Sequence, residues 1–144
     1  MTHEDRGHYA KKHPAGREVK PEVAEAVKQH ASKGEISCAA AFKIARDLQV
    51  PPAEIGFTLD ALEIPIAKCQ LGLFGYTPAK KIVKPAETVS QAMEEVIRNA
   101  LVHERLTCAR AWETAEKLGI GKIEVSSACE ALEIKISSCQ LGAF

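Results

Sequence analysis

The chain has 144 residues, 46% apolar and 26% charged, enough for one ordinary domain or two very small ones with packed cores. No apolar run approaches the roughly 18–20 residues that cross a bilayer, and the polar N-terminus has no apolar signal segment, so a cytoplasmic protein is expected. Nineteen basic residues cancel nineteen acidic ones, which removes the basic excess typical of nucleic-acid coats, and an odd count of five cysteines argues for reduced thiols.

Residues 1–19 read as a flexible polar arm. It carries Arg6, Lys11, Lys12 and Arg17, with His3, His8 and His13 five residues apart. That period does not place imidazoles on one helical face, so no metal-ligand set is expected there. The first folded unit spans 20–76. Pro21 opens a helix whose Val23, Ala26, Val27 and Ala31 share a face, and Lys33-Gly34 ends it. After the brief extended piece Glu35-Ile36-Ser37, Ser37 is placed to cap a second helix, CAAAFKIARDL, with Ala41, Ile44, Ala45 and Leu48 inward. Pro51-Pro52 breaks the chain and starts a third helix, AEIGFTLDAL, with Ile55, Leu59 and Leu62 inward. Ile64 and Ile66 then alternate as in a strand, Gly72 allows a bend, and Phe74 and Tyr76 are expected to return as the second strand of a hairpin.

A lysine- and proline-rich linker, 77–86, precedes a second unit over 87–144, with helices near Val89–Leu101, Cys108–Leu118 and Ile123–Leu132. This second unit is a copy of the first. A shift of 70 positions lays Ile36–Phe74 on Leu106–Phe144 without a gap. Identical pairs include Cys38/Cys108, Ala45/Ala115, Leu48/Leu118, Glu54/Glu124, Cys69/Cys139 and Gly72/Gly142, and Ala61-Leu62-Glu63-Ile64 returns as Ala131-Leu132-Glu133-Ile134. The phrase CQLGLFGY, starting at Cys69, accordingly returns as CQLGAF at Cys139.

The second and third helices of each unit resemble a helix-turn-helix. Ala115, Leu118, Gly119, Ile120, Val125 and Leu132 carry the likeness in the second unit. Ala45, Leu48, Gln49, Val50, Ile55 and Leu62 carry it in the first, which departs at Gln49, where that motif favours glycine. With a leading helix and a hairpin behind, each unit is similar to a winged helix-turn-helix domain. The implied fold is mainly α with small β-hairpins, two three-helix units in tandem forming an internal pseudo-dimer. The implied function is a DNA-binding transcriptional regulator, with the third helices in the major groove. That resemblance assigns duplex contacts to Thr58, Lys122, Ser126 and Ser127. The linker lysines Lys80, Lys81 and Lys84 add phosphate contacts.

A second reading is a non-catalytic protein-interaction adaptor. The third helices carry Glu54, Asp60, Glu124 and Glu130 with one lysine, Lys122, and Phe57 is expected on an outer face. Short prokaryotic proteins ending in CQLG-F, some named after tungsten formylmethanofuran dehydrogenase, are also similar, which implies an accessory role beside an anaerobic redox enzyme. A third reading is a thiol-based metal or redox sensor through Cys38, Cys69, Cys108 and Cys139, two per unit. No C-x-x-C spacing supports a metal, so buried packing thiols are the simpler expectation, and Cys129, standing where unit one has Leu59, reads as core. His30 and His103 are expected at the ends of the leading helices, complementing their dipoles. No phosphate loop, nucleophile elbow or H-E-x-x-H is present, so neither a catalyst nor a cofactor is expected.

Overall fold

The computed structural model describes residues 18–76 and 81–144. These residues form α1 (Pro21–His30), β1 (Ile36–Ser37), α2 (Cys38–Leu48), α3 (Pro52–Ala61), β2 (Ile66–Ala67), α4 (Gln91–Asn99), β3 (Leu106–Thr107), α5 (Cys108–Leu118), α6 (Lys122–Ala131) and β4 (Ile136–Ser137). The chain is mainly helical with small strands, and the order α-β-α-α-β occurs twice.

Local chemistry sets the helix ends. Ser37 Oγ accepts the Ala40 N–H at 3.1 Å, Ser90 Oγ the Met93 N–H at 3.1 Å, and Thr107 Oγ1 the Arg110 N–H at 3.2 Å. Proline stands at the first position of α1 and α3, where its missing donor costs nothing. Helices α2 and α5 stop on left-handed residues, Gln49 (φ 55°) and Gly119 (φ 66°), and the next amide bonds five residues back, Val50 to Ala45 and Ile120 to Ala115, both 3.0 Å. The non-glycine residue in this conformation is strained. Gln49→Gly is therefore expected to stabilise the chain by about 0.5 kcal/mol, the relief of strain exceeding the added freedom of the unfolded chain. Urea denaturation of the two proteins checks this.

A tight turn follows the leading helix of each unit, Ser32 to Glu35 and Val102 to Arg105, closed by paired backbone hydrogen bonds of 2.7–3.1 Å. Both central residues have positive φ in each turn, Lys33 and Gly34 in one, His103 and Glu104 in the other, as a type I′ turn requires. His103 thus sits in the turn, beyond the end of α4 at Asn99, and not at a helix terminus as expected. His30 does end α1, with Nδ1 2.8 Å from the Ala26 carbonyl oxygen.

The strands pair in an unexpected way. β1 runs parallel to β2 with Ile36 opposite Ile66 and Ser37 opposite Ala67, and β3 runs parallel to β4 with Leu106 opposite Ile136. Helices α2 and α3, or α5 and α6, form the crossover that a parallel pair needs. No hairpin follows the third helix among the described residues, and Phe74 and Tyr76 lie in no strand. The physical reason lies at Ile64. Its amide bonds Leu59 O at 2.9 Å while Glu63 takes φ 55°, so Ile64 closes α3 and does not begin a strand; Ile134 and Glu133 (φ 58°) repeat this. The alternation of Ile64 and Ile66 is a helix stop followed by a two-residue strand.

The chain divides into two compact units. Unit 1 runs to Cys69 and takes in Gln140–Phe144; unit 2 is Gln70–Cys139. In unit 1, α1, α2 and α3 pack pairwise around Val23, Val27, Ile36, Ile44, Ile55 and Leu59, all fully buried. In unit 2, α5 packs on α4 and α6 around Ile97, Leu106, Val125, Ala128 and Cys129. Part of the expected linker belongs to this second unit. Ile82 and Val83 donate to Gly72 O at 2.9 and 3.2 Å, Ala86 donates to Ser127 O at 3.0 Å, and Val83 is buried.

Candidate interaction surface

The third helices carry most of the expected contact residues, so their exposure decides what they can touch. In α3, Ile55, Gly56, Phe57, Thr58, Leu59 and Asp60 are all buried, and Ala53 is its one exposed residue. Phe57 is 3% exposed, which corrects the expectation of an outer-face aromatic. Thr58 is sealed, and its hydroxyl donates to Glu54 O at 3.0 Å inside the helix, so it is not placed to meet a phosphate or a base edge. The cause is composition: Ile55, Phe57 and Leu59, two apart, fall on different sides of a helix, and a helix apolar all round is buried all round.

Helix α6 is more open, but Ser126 is also sealed, and its hydroxyl has no hydrogen-bond partner among the described residues. Ser127 is half-buried and its carbonyl holds Ala86. Lys122 lies with Nζ 4.5 Å from the centroid of the Trp112 ring, a cation–π contact that holds the ammonium against its own unit. Lys81 pairs with Glu130 at 2.8 Å, while Lys84 is exposed and Lys80 lies outside the described residues. Among the described residues, the expected nucleic-acid contacts Lys81 and Ser126 line one groove.

That groove lies along the end of α6, with a volume of about 590 Å³. Leu73, Ile134 and Ile136 form apolar wall, and Glu130, Glu133 and Lys135 stand at its charged edge. Cys129 also lines it. Burial, with Glu130 adding its charge, pushes the Cys129 thiol up to about 11, so it stays protonated and unreactive at neutral pH. An acid whose folded-state value is raised keeps its stabilisation below the unfolded value of 9.0 and loses it as pH climbs from there to about 11. Denaturation midpoints are expected to fall across that window, and to fall less in Cys129→Ala.

None of the five cysteines is joined in a disulfide. Cys38, Cys69 and Cys108 are buried and Cys139 is half-buried. No group of three or more His, Cys, Asp or Glu residues able to hold a metal occurs among the described residues.

No family model, curated protein or solved structure matches this chain.

The internal copy is therefore the comparison that informs the surface. Sequence reasoning missed three large apolar side chains that unit 2 exposes: Ile82 (42%), Val102 (39%) and Ile123 (37%). Two of them have counterparts in unit 1. Val102 stands where unit 1 has Ser32, in the type I′ turn, and Ile123 where it has Ala53. Ser32 and Ala53 are exposed as well, so packing imposes neither apolar replacement. The signal was present in the alignment of the two copies, as small or polar residues exchanged for branched apolar ones.

Proposed function

We propose that the protein is a non-catalytic interaction adaptor whose partner-binding face lies on unit 2. The observation that carries this reading is that unit 2 exposes Val102 and Ile123 where unit 1 exposes Ser32 and Ala53. A partner that covered Val102 and Ile123 would gain the free energy of removing their apolar surface from water. Balanced charge and the buried faces of α3 support a protein partner over duplex DNA.

Two measurements test the reading. Crosslinking in the native cell extract is expected to capture a defined protein with the wild type. That protein should be lost with the double variant Val102→Ser, Ile123→Ala, which restores the residues of unit 1 and leaves the core intact. Equal capture by both proteins removes the proposed face. In parallel, random-sequence duplex DNA is expected not to bind at low salt. Tight binding that weakens steeply with salt, and weakens further in Lys84→Ala, would replace the adaptor reading with the regulator.

A further inference from the structure

The phrase that opens with Cys69 and returns at Cys139 divides at the same register in both copies. Unit 1 ends at Cys69 and unit 2 begins with Gln70; unit 2 ends at Cys139 and Gln140–Phe144 belong to unit 1. Each copy of the fold is thus completed by the Leu-Gly phrase that follows the other copy's last strand. The seats are tight. Leu71 and Leu141 are both buried, as is Ala143, and the backbone at Gly72 and Gly142 turns with φ of 75° and 82°. In unit 1 the seat is cut into α3 at Gly56, where a β-carbon would fall inside the van der Waals envelope of the Leu141 carbonyl oxygen. The phrase lies backbone-on-backbone against the helix, an approach only glycine permits.

We propose that this face of α3, centred on Gly56, is an acceptor site for the segment Gln140–Phe144, and that a second copy of this chain can supply the segment. The donor is an element at the edge of the fold, held by insertion of Leu141 and close backbone contact, with Lys68 and Ser138 at positive φ just ahead of the two exchange points. An identical segment from another molecule makes the same contacts, so the exchange changes connectivity and not chemistry, which is why domain swapping is a low-cost route to assembly. Within one chain the segment is tethered to its acceptor, and this favours the closed monomer under dilute conditions. The inference stands apart from the adaptor reading, because it concerns unit 1 and not the exposed apolar residues of unit 2.

Disabling donor and acceptor in different molecules removes the competition from self-closure. Full-length Leu141→Asp keeps an open acceptor but loses the donor anchor; full-length Gly56→Val keeps the donor but blocks its seat. Light scattering after co-refolding at equal concentrations is expected to show a one-to-one complex of about twice the 15.6 kDa chain mass, melting above either variant alone. Two separate species with unshifted melting would overturn the proposal. If either variant does not fold alone, gain of a folded circular-dichroism signal on mixing gives the same decision. A direct probe follows from the same geometry. The synthetic peptide Gln-Leu-Gly-Ala-Phe should bind Leu141→Asp saturably and not bind the double variant Gly56→Val, Leu141→Asp. Equal binding to both overturns the assignment of the site to α3.

Discussion

Phe57→Ala is expected to lower the unfolding free energy by about 3–5 kcal/mol, the range for truncating a buried aromatic. The side chain is 3% exposed and lies in a helix buried on several sides, so its removal leaves a cavity that neighbouring residues cannot fully fill. An aromatic on an outer face would behave differently, with a change within about 0.5 kcal/mol. The two outcomes are far enough apart for urea denaturation to separate. A small change would return Phe57 to the surface and reopen α3 as an interaction helix. The corresponding Ser127 in unit 2 is half-buried, so truncation there is expected to cost little.

Gly56→Ala is expected to cost about 2–3 kcal/mol, at the upper end of overpacking in a dense interior. A single methyl usually stabilises an exposed helix interior relative to glycine, by roughly 1 kcal/mol. Here the sign reverses, because the added carbon meets the Leu141 backbone, which cannot rotate away as a flexible side chain would. Either the seat of Leu141 or the path of α3 must shift. The same position in unit 2 is Ser126, which keeps a side chain and holds it buried with no hydroxyl partner among the described residues. Ser126→Ala is therefore expected to be neutral to mildly stabilising where Gly56→Ala is costly. Matched thermal melts of the two variants test that contrast.

Helix positions and the duplication were legible in the sequence because each rests on local signals. Apolar spacing marks α1 and α2, the 70-residue shift carries the reading to α4 and α5, Ser37 is placed as a cap, and Pro51-Pro52 marks the start of α3. The strand arrangement was not legible. Two-residue strands have no period to read, and the parallel pairing of Ile36 with Ile66 depends on where two helices return the chain. Phe57 was misplaced for a different reason. An amphipathic pattern puts Phe57 outside, but the helix sequence AEIGFTLDAL carries apolar residues on all sides and no basic residue. The exposed residues of unit 2 were recoverable by setting Val102 beside Ser32 and Ile123 beside Ala53, but only the structure shows that all four positions face solvent.

The division of the repeated phrase also has a consequence for synthesis. Unit 1 is complete only when Gln140–Phe144 arrive, long after Cys69 has been made. At the usual 5–20 residues per second, the α3 face around Gly56 waits roughly 4–14 s without Leu141. During that interval a nascent chain presents an open apolar seat, while neighbouring chains on the same message carry the same seat and, further along, the same segment. Crowded translation is thus the condition under which wrong-molecule pairing would begin, and slow, well-spaced initiation is the condition that favours each chain closing on itself.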